Sequence, residues 1–306
     1  MRKKHFLFAS VLALLCGSST LHAQDFKLTS SGYFKNQGVD VMAFDDIYPE
    51  GHQGGVCIIM NGHRVATNGD IRLEATPGQW QPVPKQLDRK LGDNSITATL
   101  CYPDSSRHLT GFNPMIYPDL HLIYTVNVES KGKNIEVTVD LDRPIPQEFI
   151  GKVGFNLEFF PGSLFGKPWI MDGQSGIFPQ QPNSPLMTTQ PNYLHTGNYH
   201  DGKKSLADMD KLIGKGYSPI VARPDDPYNK VTIESLSGDL QLFDGRMNHN
   251  NGWFVLRSNI KPGVTKGAVK WIITPNVVAD WMYQPVIQTS QIGYHPTQDK
   301  EAVIEM

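Results

Sequence analysis

Short apolar runs, each cut off by glycine, proline or an Asn-Gly pair, restrict this chain to a β fold. Val56 to Met60 ends at Asn61-Gly62, a dipeptide suited to a tight hairpin. His63 to Ala66 leads to Asn68-Gly69, which reads as a second hairpin turn. Ile71, Leu73 and Ala75 then alternate with Arg72 and Glu74, the pattern of a strand with one wet face. Residues 96–102 form another strand-like run, and residues 120–129 a longer one, turned at 130–133 into its hairpin partner 134–141. Residues 153–160 stop at Pro161-Gly162, 231–236 and 240–243 flank Ser237-Gly238-Asp239, and 253–258 and 268–274 close the series. The 28 glycines and 22 prolines supply the punctuation. Helical spacing is confined to 206–213, which predicts one short helix. Residues 165–224 are loop-rich, and a loop region of that length usually carries a function or wraps a surface. No period of fixed length marks a repeat architecture. The fold expected is all-β: a large antiparallel β-sandwich over 24–283, with a closed barrel as the other arrangement.

The first 23 residues have a different plan. Arg2, Lys3 and Lys4 precede an apolar run from Phe6 to Leu15, and small and polar residues lead to Ala23. This is the layout of a signal peptide, with a run too short to span a bilayer. The expectation is export, to the periplasm, cell surface or medium. Cys16 leaves a lipid-anchored terminus open, although Leu15 stands where a lipoprotein signal has a small residue. Later residues contain no stretch apolar enough for a transmembrane segment. Without residues 1–23 the formal charge is −5, from 25 Lys and Arg against 30 Asp and Glu. Nothing in that balance suggests a nucleic-acid partner, which would normally leave a basic face. Export permits a disulfide between Cys57 and Cys101, and two buried thiols are the other reading.

The most specific segment is residues 286–306, VIQTSQIGYHPTQDKEAVIEM. It resembles the opening strands of the immunoglobulin-like domain that precedes the catalytic domain in many glycoside hydrolase family 9 (cellulase-like) enzymes. Ser290, Gln291, Gly293, Tyr294, Pro296, Lys300, Ala302 and Val303 fit that pattern, with Ile292 in place of valine. GGVCIIMNGHRVATNGDIRL, TPGQWQPVPK and DGRMNHNNGWFVLRSNIKPG are similar to the long N-terminal region of bacterial proteins that continue into such hydrolases. The resemblance implies a non-catalytic N-terminal module, with residues 284–306 opening a further, incomplete immunoglobulin-like domain. It also implies two partners, a polysaccharide or oligosaccharide and a downstream catalytic domain. The family's two catalytic carboxylates belong to a helical barrel beyond this sequence, so no catalytic residue transfers. A stand-alone carbohydrate-binding module is the alternative, and a sugar-active enzyme using a sandwich cleft a third reading.

Candidate site residues follow from those readings. Trp80 and Trp169 sit among prolines and glycines, and Tyr193 and Tyr199 lie in the loop-rich stretch. Such rings, if exposed, can stack on a pyranose. Trp253 and Trp271 lie in apolar runs and are expected in the core. Asp244, Asn248 and Asn250, with His249 between them, form an oxygen-rich stretch that would suit calcium, the one cofactor suggested; an Asn-Gly turn is the plainer reading. Among carboxylates, Glu158 in FNLEFFP is expected on a strand, facing solvent or paired with a buried arginine. Asp172-Gly173 is expected in a turn. No HExxH, GxSxG or Walker-type motif occurs.

Overall fold

The computed structural model describes residues 25–45, 54–74, 82–102, 104–109, 115–181, 211–217, 219–246 and 252–305. In chain order the strands are β1 (Lys27–Leu28), β2 (Phe34–Asn36), β3 (Val39–Ala43), β4 (Val56–Met60), β5 (His63–Leu73), β6 (Lys85–Leu91), β7 (Ser95–Cys101), β8 (Ile123–Lys131), β9 (Asn134–Leu141) and β10 (Val153–Phe159). There follow β11 (Pro168–Met171), β12 (Gln174–Ile177), β13 (Lys211–Gly216), β14 (Ile220–Ala222), β15 (Val231–Ser235), β16 (Leu240–Asp244), β17 (Phe254–Asn259), β18 (Val269–Pro275), β19 (Val286–Gln288) and β20 (Val303–Glu305). Only short 3-10 turns interrupt them; the described residues include no α-helix.

Two nine-stranded antiparallel sheets form a sandwich. The first has the order β1-β2-β3-β4-β5-β10-β17-β16-β13, and the second β12-β11-β14-β15-β18-β9-β8-β7-β6. In β7, β8 and β9 every other residue is buried, so one face of the second sheet packs inward and the other meets water. Phe155 of β10 meets Trp271 of β18 edge-on at 5.0 Å between ring centres, and the Trp271 indole N–H donates to Ser258 Oγ at 3.1 Å. These contacts join the two sheets at mid-core and give the indole its polar partner.

Local signals and long-range pairing divide the outcome. Asn61 and Gly62, with φ of 53° and 81°, make the two-residue turn between β4 and β5, as the dipeptide predicts. Asn68-Gly69 does not turn the chain. β5 continues through it to Leu73, and Asn68, at φ 55°, is the extra residue of a bulge. The register against β10 passes from Asn156–Asp70 to Glu158–Thr67, so two residues of β5 stand opposite Leu157 alone. Strand neighbours on both sides hold this segment extended. β4 begins at Val56, opposite Gly69, so among the described residues Asp70 to Leu73 pair with β10 only. The expected helix over 206–213 is also corrected in part. Residues 206–210 lie outside the described residues, and Lys211 to Ile213 belong to β13, held extended against β16.

Candidate functional site

β10 crosses the middle of the first sheet. Val153, Phe155, Leu157 and Phe159 enter the core, which sends Gly154, Asn156 and Glu158 to the opposite face. In most sandwiches that second face is wet, and the Ile71/Arg72 alternation predicts the same for β5. Here it is not. Thr67, Asn68, Asp70, Arg72, Asn156, Glu158 and Arg257 are all buried. Strand pairing assembles them: Asn156 stands between Asp70 and Arg257, Gly154 between Arg72 and Asn259, and Glu158 between Thr67 and Val255.

The polar layer is tightly bonded. Arg257 donates to Asn156 Oδ1 at 2.7 Å, to Asn259 Oδ1 at 2.9 Å and to the Lys152 carbonyl at 2.5 Å. Its guanidinium lies over Gly154, where a Cβ would sit 2.9 Å from Cζ. Asp70 Oδ1 accepts from the Ile71 amide at 2.7 Å and from the Tyr124 hydroxyl at 2.9 Å. Its Oδ2 lies 3.4 Å from Arg72 Nη1. Tyr102 donates to the Ile71 carbonyl at 3.1 Å. Asn68, at the bulge, donates to Glu158 Oε2 at 2.6 Å. Burial pushes the Asp70 carboxyl up to about 6, against the pull of Arg72 and the bonds from Ile71 and Tyr124. Burial likewise pushes Glu158 up to about 7, against Arg72 and Asn68.

Among the described residues, three buried polar atoms of this layer have no partner: Thr67 Oγ1, Asn68 Oδ1 and Asn156 Nδ2. The Arg257 bond orients the Asn156 amide so that its nitrogen is the unpaired end. Two guanidinium and two carboxyl groups, those of Arg72, Arg257, Asp70 and Glu158, lie in this layer. Among the described residues no group of three or more His, Cys, Asp or Glu could hold a metal.

The sequence candidates fall elsewhere. Trp80, Tyr193, Tyr199, Asn248 and Asn250 lie outside the described residues. Trp169 is a strand residue of β11 and is 4% exposed, so its expected role as an open stacking platform is corrected. Its indole occupies a slot left by glycines: a Cβ on Gly176 would lie 2.3 Å from Cζ2, and one on Gly214 2.9 Å from Cη2. Asp244 is buried, and Arg246 bonds both of its oxygens, at 2.8 and 2.7 Å. That pairing takes the oxygens a calcium ion would need. Arg246 also donates to the Pro179 and Gln180 carbonyls and lies 4.6 Å over the Phe254 ring. Trp271 is in the core as expected, while Trp253 is half-buried and packs edge-on against Phe160 at 4.6 Å. Glu158 is a strand residue in the field of buried Arg72, the second of its two expected settings. Asp172 and Gly173, with φ of 50° and 71°, form the β11–β12 turn. Cys57 is in β4 of the first sheet and Cys101 in β7 of the second, and both are thiols. Sequence reasoning missed Asp70, Arg72, Asn156 and Arg257, whose one signal is a polar or charged side chain within otherwise apolar strands.

No protein-family model and no curated protein matches the chain. Two solved structures overlap it broadly. The Slr1438 protein from Synechocystis sp. PCC 6803 covers 89% of this chain and 98% of its own length, at TM-score 0.37 and 10% identity. The heparan sulfate lyase HepC from Pedobacter heparinus covers 92% of this chain at TM-score 0.35 and 11% identity, and the chain spans only 41% of that lyase. At these values neither likeness carries an argument about function.

Proposed function

We propose that this chain is the non-catalytic N-terminal β-sandwich module of an exported, polysaccharide-degrading glycoside hydrolase. The observation that carries the reading is the hairpin of β19 and β20. Val286 pairs with Glu305, Ile287 with Ile304 and Gln288 with Val303, yet Val286, Ile287, Val303 and Ile304 are all exposed. Two strands cannot bury a core by themselves, and these are the residues that resemble the opening of an immunoglobulin-like domain. Tyr294, one of the matching positions, accepts from the Ser290 amide at 3.1 Å and donates to the Glu301 carbonyl, bracing the connection between the strands. The role of the carboxylates supports the same reading. Glu158 and Asp70 bond to neighbours in their own sandwich, as structural groups do. In this reading residues 1–23 direct export, a further domain follows residue 306, and a catalytic domain beyond it acts on the glycan.

Sequencing the DNA beyond the Met306 codon tests this directly. The expected result is a frame that continues into further immunoglobulin-like strands and a helical barrel carrying two carboxylates. A stop codon followed by an unrelated gene overturns the reading and favours a stand-alone carbohydrate-binding module. Release of reducing ends from a β-glucan by the purified chain overturns it in the other direction, toward an enzyme.

A further inference from the structure

The segment between the sandwich and the β19–β20 hairpin is fastened at several points. Asn276 takes the Lys230 carbonyl through its backbone N–H at 2.9 Å and the Pro227 carbonyl through its side chain at 2.7 Å. Trp281 lies on the β2–β3 turn. Gly38 there has φ +65°, and a Cβ on it would stand 2.6 Å from Trp281 Cε3 and 2.9 Å from Cδ2. Gln37 next to it donates through Nε2 to the Trp281 carbonyl at 2.5 Å. Tyr283 lies on the β4–β5 turn, its Cε2 3.4 Å from the position of a Cβ on Gly62. The two rings meet edge-on at 6.1 Å. The turns beneath them are tied together, since the Asn61 amide donates to the Gly38 carbonyl at 2.6 Å and its side chain to the Tyr228 carbonyl at 2.5 Å.

We propose that Trp281 and Tyr283 form a clasp that fixes the direction in which the chain leaves the sandwich. Both turns need glycine for their backbone, and the same two glycines leave the flat seats on which the rings rest. Met282, between the rings, points away and is 71% exposed, so the grip is made by alternate residues. The exposed apolar residues of β19 and β20 follow within a few residues. The clasp would therefore hold the start of the next domain at a set bearing to the first sheet; this last step rests on the function proposed above. The clasp itself does not.

The test uses this chain alone. Backbone amide order parameters for residues 286–305 are measured by NMR relaxation in the wild type, in Trp281→Ala and in Gly38→Ala. The first variant removes the ring; the second keeps it and fills its seat. A clasped tail has order parameters of about 0.85, falling below about 0.6 in both variants, with the amide spectrum of the sandwich unchanged in Trp281→Ala and, in Gly38→Ala, changed only around the β2–β3 and β4–β5 turns. Wild-type values already below about 0.6, or variant values equal to wild type, overturn the clasp. Because no residue beyond 306 enters the measurement, its outcome is independent of where the reading frame leads.

Discussion

Replacing Arg72 by methionine tests whether charge holds the polar layer together. Methionine keeps most of the apolar stem and removes the guanidinium. In the wild type Arg72 stands 3.4 Å from Asp70 and in the field of Glu158, all of them buried. Both carboxyls are raised by burial, to about 6 and about 7. At pH 8 both are ionised in the wild type, and the variant removes the cation that opposes the cost of burying them, whether they stay charged or take up protons on folding. Removing one partner of a buried pair costs about 3–5 kcal/mol. With a urea m value of about 3 kcal/mol/M, the midpoint falls by about 1–1.7 M. At pH 5 both carboxyls are protonated in the folded state, the missing cation has nothing to neutralise, and the loss shrinks to about 1 kcal/mol or less, the scale of an ordinary hydrogen bond. The assay is urea denaturation of both proteins at the two pH values. Equal midpoint shifts at pH 5 and pH 8 would refute the reasoning, because they would mean that Arg72 acts through packing alone.

Three further outcomes are expected. The wild type loses stability as pH rises: the folded carboxyls of Asp70 and Glu158 hold protons that the unfolded chain releases near pH 4. The melting temperature should therefore fall between about pH 4 and 7 from these groups and level above, which calorimetry at fixed ionic strength checks; a flat or rising profile across that window contradicts the raised values. Phe155→Ala opens a hole beside Trp271 and should cost about 3–5 kcal/mol in urea unfolding. Alkylation in denaturant without reductant should add two adducts to a chain lacking residues 1–23, one at each of Cys57 and Cys101, read by intact mass; no adducts would indicate a disulfide.

Much of the architecture is legible where the code is local. The alternation in residues 123–141 gives two strands with one buried face each, and Asn61-Gly62 turns where its dihedral preferences say it should. Asn68-Gly69 has the same local preference and a different fate. β10, nearly ninety residues later in the chain, pairs with both sides of the bulge and makes a turn impossible. The polar layer was hidden for the same reason. Arg72 and Glu158 each look like the wet half of an alternating strand, and only the pairing of β5, β10 and β17 brings them together in a buried face. Trp169 shows how composition misleads. The glycines near it suggest an exposed loop, yet Gly176 and Gly214 act as the missing volume into which its indole fits.

The place where β4 gives out beside Gly69 has a mechanical consequence. A stacked pair of sheets resists sliding mainly through side-chain interlock, which yields by small steps. Here the strand edge left open at Asp70 and Ile71 is closed from the other layer, by the hydroxyls of Tyr124 and Tyr102. These are directional bonds that cross from one sheet to the other, so displacement of the layers breaks them outright and strands a buried carboxyl and a buried carbonyl. The two layers are thereby bolted at one corner and should yield together, as a single cooperative body, under heat, denaturant or force.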